Sequence, residues 1–593
     1  MSAGNRTVLV IIDSRKITDR HPADQTVFAA LDHFGVAWEV LDGGDYMGFI
    51  PDYVAPRALY IIAHDGAAGW LAPETAQQIA DAVTAGGAGL VSFDRRLHEW
   101  PDALRALLPD DIFQTRTGIL RFGPPGFISH GHDEGEELEL QEEIAALAFA
   151  ADARSHTPLS DAQDRTLVTD AQGRSVVISA DVGAGRMVLF GTGESIYREG
   201  VYGHVRGIDG LMWRSIVWAA AKPFPMRCVP PYVTARIDDC NGTYGAFAYV
   251  DAMNRFGIGP NLGLFTDEMG PTDWAAAKRL YDSGGADFSM HAFRDDFYVA
   301  RADYRPWATL ADKPDLSEGG RHTLFEGLSM DHDTGADLPA ETVRRNFRRM
   351  DEAFAAAGIS HSRVLNAHFG EVGWRAVPLF LQRGVDMPCN NSALGQLYSN
   401  QPVWRPRPYG IRGSSGRHGL ILDRCPQHPA MTFVSISMAH VGKSHMTTDI
   451  LSGRVPFIGE AERPKIAEAA AAGTANLKLG LDALAYGLLF THEERINVIS
   501  PQDWESIVSG AMSGLDGWEW EGALREDVGV ICKRLLDSAL VRASVDQSGV
   551  LRCELVGATE GPSPLTVWEN EDDICTRRVV DIAAIDGYAE VEA

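Results

Sequence analysis

YVTARIDD, residues 232 to 239, is a strand-length apolar run that ends in two adjacent carboxylates, Asp238 and Asp239. Carboxylates at the end of a buried strand carry a desolvation cost that function, rather than stability, has to justify. Neighbours along a strand point to different sides, so one carboxylate can hold a metal while the other takes a proton. Alone the pair is a weak signal, because acidic strand ends are often simply solvated. The sequence on either side of it decides the reading.

Downstream, strand-like and helix-like segments alternate for about 280 residues. A helix through YGAFAYVDAMNRFG (244–257) leads to the strand PNLGLF (260–265), and a helix through WAAAKRLYDSGG (274–285) leads to ADFSMHAF (286–293). Further units follow at ETVRRNFRRMDEAFAAAG (341–358) with SRVLNAHFG (362–370), and at VPLFLQRG (377–384) with VDMPCNN (385–391). TFVSISMAH (432–440), LDALAYGLLFTHEERI (481–496) and QDWESIVSGAM (502–512) complete the run. Repeated βα units of this kind predict a barrel whose active site gathers at the C-terminal ends of its strands.

A strand ending in Asp-Asp, then a helix, a Gly-containing turn and a strand ending in a histidine, His291, closely resembles the polysaccharide-deacetylase (carbohydrate esterase) superfamily. The resemblance covers nearly half the chain. It implies that Asp238 is the general base and that Asp239 and His291 bind a divalent metal. The family's second histidine stands four residues after the first, but position 295 here is Asp295. Residues 297–330 read as an insertion, after which SMDHDTGADLPAETVRRNF (329–347) resumes the pattern. On that alignment His332 is the displaced ligand, preferred to Asp295 because a neutral imidazole suits zinc and similar metals. The alternative is that His332 is an ordinary loop histidine, with Asp337 serving the cap of the next helix.

The family's third motif carries an arginine that orients the base. The matching stretch here is Asn366-Ala-His368-Phe369-Gly370, without the arginine, so Asn366 or His368 would substitute, or contact substrate. His368 is also a rival metal ligand. The family's last motif is a strand ending in a general-acid histidine, which GLLFTHEERI supplies as His492; His440 and His445 compete for the role. The resemblance thus implies zinc, or cobalt, nickel or iron, acidifying a water molecule and polarising a carbonyl. Asp238 would then act as base and His492 as acid. Aromatic residues of the insertion, Tyr298 and Trp307 among them, suit stacking on a sugar ring as well as they suit anchoring the insertion.

The 593-residue chain is long enough for three domains and carries a net charge of −28, which disfavours nucleic acid and anionic membranes. The first 220 residues alternate strands (TVLVIID, AWEVLD, ALYIIAHD, GLVSFD, GRMVLF) with helices, predicting a parallel sheet covered on both faces. This pattern resembles class I glutamine-amidotransferase-like or flavodoxin-like domains. The first cysteine, however, is Cys228, beyond that region, so no thiolate nucleophile is available there. The turn FGTGES (190–195) reads as a plain tight turn rather than a phosphate cradle. The seven scattered cysteines include no CxxC pair and argue against a disulfide framework. No apolar stretch is long enough to span a membrane, and the N-terminus lacks signal-peptide anatomy, so the expected location is cytoplasmic.

AKPFPMRCVPP (221–231) reads as a linker, and the period-two segments after residue 538 read as a small antiparallel β appendage. The expected architecture is α/β: a flavodoxin/amidotransferase-like domain (1–222), a deacetylase-type (β/α) barrel (229–515), and a helix plus a small β-rich appendage (516–593). The expected function is metal-dependent hydrolysis of an N-acyl group on an amino sugar or glycan. Two alternatives stand beside it: a cyclic amide or imide hydrolase on the same barrel, and a catalytically inactive carbohydrate-binding protein. The expected partner is a small-molecule or glycan substrate, with self-association left open.

Overall fold

The structure is a computed structural model that describes residues 4–16, 23, 27–45, 54, 56–149, 166–192, 208–242, 245–294, 325–331, 334–389, 395, 421–425, 428–435, 466–493, 496, 499–571 and 574–593. Its N-terminal region is built on one nine-stranded sheet. Val8–Ile12 is buried along its whole length, as a strand covered on both faces must be. It lies between Trp38–Asp42 and Leu59–Ile62, and Gly89–Ser92 and Gly185–Phe190 follow, all paired in parallel. In chain order these five strands run 2-1-3-4-5, the doubly wound order of flavodoxin-like sheets.

The sequence reading of an all-parallel sheet stops there. Ser175–Val182, Glu137–Phe149, Ile112–Phe122 and Thr166–Asp170 extend the same sheet in antiparallel fashion. These strands carry many exposed polar positions on one face. Their alternation is that of a half-solvated antiparallel sheet rather than a buried parallel one.

The central sheet runs Phe325–Gly327, Asp287–Arg294, Pro260–Phe265, Tyr232–Cys240 and Gly487–His492. All its pairings are parallel except that of Phe325–Gly327, which lies antiparallel at one edge. Val233, Ala235, Ile237, Leu262, Leu264, Phe288 and Leu489 face a shared apolar core beneath the helices. At about 25 cal/mol per Å² of apolar surface removed from water, this core is what holds the strands in register. Val364–Leu365 pairs in parallel with Met387–Pro388, and Ile421–Arg424 pairs antiparallel with Thr432–Ser435. Among the described residues the strands form an arc and two separate pairs, not a traced closed barrel.

The C-terminal region is two small antiparallel sheets around Leu540, Val545, Leu551, Leu555, Leu565, Val567 and Ile582. Each sheet takes one strand from far away in the chain. Gly4–Asn5 pairs with Ser544–Val545, and Phe224–Met226 pairs with Thr566–Trp568. The stretch read as a linker is therefore partly a strand. It sits at a sheet edge, where the missing N–H of Pro225 costs no ladder bond, and Phe224 and Met226 are fully buried.

The regions do not sit apart. One continuous apolar core includes Val10 and Phe34, Trp213 and Ile216, Tyr486 and Leu488, and Trp568. At this junction the Trp213 indole donates to the Asp482 carbonyl at 2.8 Å, and Arg214 reaches the Asp482 carboxylate at 3.2 Å. No helix among the described residues is long and apolar enough to cross a membrane.

Candidate metal centre

The strand Tyr232–Cys240 is polar on one side. Thr234, Arg236 and Asp238 alternate with Val233, Ala235 and Ile237, so the period of two sends the polar set away from the apolar core. Strict alternation would send Asp239 to the other side. Instead Asp239 adopts a left-handed backbone (φ 57°), and the register with the neighbouring strand slips between Ile237 and Cys240. A left-handed non-glycine residue is strained, and such strain concentrates at functional sites. Its effect here is that both carboxylates serve one site.

The strained turn is fastened from the neighbouring strand. The buried Glu493 carboxylate accepts the backbone N–H of Asn241 at 2.6 Å and that of Gly242 at 3.2 Å. Sequence reading passed over Glu493, although it directly follows His492.

Asp239 is the meeting point of three imidazoles. Its Oδ1 lies 3.0 Å from His291 Nε2 and 3.5 Å from His368 Nε2, while its Oδ2 lies 3.7 Å from His492 Nε2. The other ring nitrogen of His291, Nδ1, sits 2.6 Å from the Asn366 carbonyl. A carbonyl only accepts, so Nδ1 carries a proton, and Nε2 is the ring nitrogen turned to Asp239. Burial pushes the His368 imidazole down to about 3, against the pull of Asp239, so this ring is neutral. Burial alone would raise the Asp239 carboxyl, but His492, followed by the hydrogen bond with His291, holds it well below the usual carboxylate range.

Asp239, His291 and His368 offer ligand atoms that all lie within 4.8 Å of one another. One carboxylate and two imidazoles, with ligand atoms converging on one point, are a donor set that suits zinc or a similar first-row divalent ion. The outer contact of His291 to a backbone carbonyl is the support that metal-binding histidines generally have.

Room for this arrangement comes from Gly263 on the adjacent strand. A Cβ there would lie 2.7 Å from His291 Nδ1 and 2.8 Å from Asn366 Nδ2. Asn366 is fully buried and joins the two halves of the site: its carbonyl holds His291, and its Nδ2 donates to Asp238 Oδ1 at 2.8 Å. That position suits a residue that orders Asp238.

Asp238 faces a guanidinium as well. Arg236 Nε meets Oδ1 at 2.7 Å and Nη2 meets Oδ2 at 2.8 Å, with both side chains buried. Burial would raise the Asp238 carboxyl, but Arg236 outweighs it, followed by His291, and keeps the group below its ordinary value. The sequence resemblance looks to the third motif for an arginine, and none stands there. The polar alternation Thr234, Arg236, Asp238 in an otherwise apolar strand was the available signal. His492 pairs with Asp238 across the sheet, which puts it at the same mouth.

The residues expected on the insertion, Asp295, Tyr298, Trp307 and His332, lie outside the described residues, as do His440 and His445. His332, expected to complete the ligand set, is among these, and within the described residues the third side chain converging with Asp239 and His291 is His368.

No protein-family model matches this chain, and no curated protein matches it in sequence. Among solved structures it is similar in fold to Agd3, described as a novel carbohydrate deacetylase. The TM-score is 0.51 and the identity 9%, over 100% of both chains. A putative polysaccharide deacetylase from Mycobacterium smegmatis also aligns. It has TM-score 0.31 and 11% identity and covers 52% of this chain and 94% of its own, a similarity too low to argue from.

Proposed function

We propose that this chain is a metal-dependent hydrolase that removes an N-acyl group, acetyl in the simplest case, from an amino sugar or glycan. The observation that carries the reading is the convergence of Asp239, His291 and His368 beside a second, separately held carboxylate, Asp238. The carbohydrate-deacetylase description of Agd3, with a fold similar to this one along its full length, supports a sugar substrate. A divalent ion held by Asp239, His291 and His368 would polarise the acyl carbonyl and acidify a water molecule.

The chain's own groups divide the proton work. Asp238 takes the proton of the attacking water as its oxygen bonds to the acyl carbon. His492 Nε2 gives a proton to the leaving nitrogen as the C–N bond breaks, so the products are a carboxylic acid and a free amine. Separate groups for base and acid suit an amine, which is a poor leaving group until protonated. A purely carbohydrate-binding protein would have no use for three ligand atoms aimed at one another, two of them on buried side chains.

The test pairs elemental analysis with an assay on the N-acetylglucosamine tetramer. Near-stoichiometric zinc, cobalt, nickel or iron, with acetate release that is lost in the Asp239→Ala, His291→Ala double variant, supports the proposal. A protein that takes up none of these ions, even after incubation with them, overturns it.

A further inference from the structure

We infer that Arg236 is the positioning residue of the base: it clamps Asp238 so that Oδ2 is the oxygen presented to the attacking water. The inference rests on the hydrolase reading above and adds to it a residue and an atom. Residues two apart on a strand project from the same side, so Arg236 and Asp238 are placed together by the strand itself. The guanidinium makes two parallel hydrogen bonds to the carboxylate, at 2.7 and 2.8 Å, the geometry that fixes a carboxyl plane most tightly.

Arg236 is itself held. Its Nη1 donates to the Cys389 carbonyl at 2.8 Å, and its guanidinium lies 5.1 Å from the centre of the Phe490 ring, a cation–π arrangement. It therefore cannot follow Asp238 if that side chain turns. The two oxygens are not equivalent. Among the described residues, Oδ1 accepts from both Arg236 Nε and Asn366 Nδ2, whereas Oδ2 accepts from Arg236 Nη2 alone. Oδ2 keeps the lone pair available for a proton.

A lysine would keep the charge but lose the fork. Arg236→Lys and Arg236→Met, each loaded with zinc, test the role with two readouts. The first is kinetic, on the N-acetylglucosamine tetramer. Misplacing a reacting group by about 1 Å costs on the order of 100-fold. The expected result is therefore a kcat lower by roughly that factor in Arg236→Met with KM and zinc content unchanged, and partial recovery in Arg236→Lys.

The second readout is the crystal structure of each zinc-loaded variant, which needs no turnover. The Asp238 carboxyl plane is expected to rotate while Asp239, His291 and His368 stay in place. An Asp238 carboxyl that keeps its orientation without the guanidinium overturns the inference, whatever the activity. So does a loss of zinc in parallel with a loss of activity in Arg236→Lys, which would make Arg236 a support of the fold only. If the unaltered protein binds zinc but releases no acetate, the deacetylase reading fails, and the crystallographic arm still decides the clamp.

Discussion

Two sets of parallel strands in this molecule end in aspartates and histidines, and only one of them looks like a reaction centre. In the N-terminal sheet, Asp13, His64, Asp65 and Asp94 stand just past strands Val8–Ile12, Leu59–Ile62 and Gly89–Ser92. In the central sheet, Asp238, Asp239, His291 and His492 stand at or near the equivalent ends. The composition is nearly the same. The difference lies in where the lone pairs go.

In the N-terminal cluster each group is closed by a local donor or acceptor. His64 Nε2 accepts the Asp13 backbone N–H at 3.0 Å, and its Nδ1 lies 3.1 Å from the Asp65 carbonyl. Asp65 is tied to Arg95, and Asp94 accepts from the Gly66 and Arg96 backbone N–H groups and from the Trp100 indole. In the central cluster, by contrast, two imidazole nitrogens and a carboxylate oxygen face one another, an arrangement that is stable only with a proton or a cation among them. Strand-end carboxylates and histidines are therefore not a site in themselves. Convergence of their acceptors makes one.

The contrast can be broken most sharply by deleting one imidazole on each side. His368→Ala is expected to reduce zinc affinity by more than the roughly 10- to 100-fold typical of a residue that merely supports a ligand, and to bring acetate release to background. His64→Ala should leave both unchanged and instead cost about 1–3 kcal/mol of stability, because it orphans buried partners. Isothermal titration with zinc and thermal denaturation of the two variants check this. Retained zinc affinity in His368→Ala would return the third-ligand role to a residue such as His332.

A smaller effect is expected from His492→Gln. Removing a general acid lowers kcat by about 10²- to 10⁴-fold, here with zinc content intact, because His492 stands beside the ligand set rather than within it. Steady-state rates beside metal analysis decide it; zinc lost together with activity would make His492 a ligand.

The smallest effect concerns Asp94. Burial raises its carboxyl to about 6, against the donors that Gly66, Trp100 and Arg96 offer it. A carboxyl with a raised folded-state value binds its proton more tightly in the folded chain. Its contribution to stability is therefore fully present below pH about 4 and is lost as pH rises through about 6. Carboxyl-carbon NMR of Asp94 should give a midpoint near 6. A midpoint near 4 would mean that the cluster is wetter than its packing implies.

Much of the central sheet could be read from sequence because its strands are short apolar runs separated by amphipathic helices. The pair Asp238 and Asp239 stood out because adjacent carboxylates interrupt such a run. Arg236 and Asn366 were harder to place. Their importance depends on contacts with residues 2 and 128 positions away, and only the first of these leaves a trace in the local pattern. Gly263 gave no signal of its own, since the space it leaves is defined by side chains from two other strands. The antiparallel half of the N-terminal sheet was missed for a different reason. Its strands carry polar residues on a solvated face, and a search for buried apolar runs passes over them.

The pairing of Gly4–Asn5 with Ser544–Val545 fixes an order of events as well as a shape. The first of these strands leaves the ribosome more than 500 residues before its partner. The Phe224–Met226 strand likewise waits for Thr566–Trp568. Folding of the earlier regions can proceed vectorially, but the two small sheets can be sealed only after Ser544–Val545 and Thr566–Trp568 have been made.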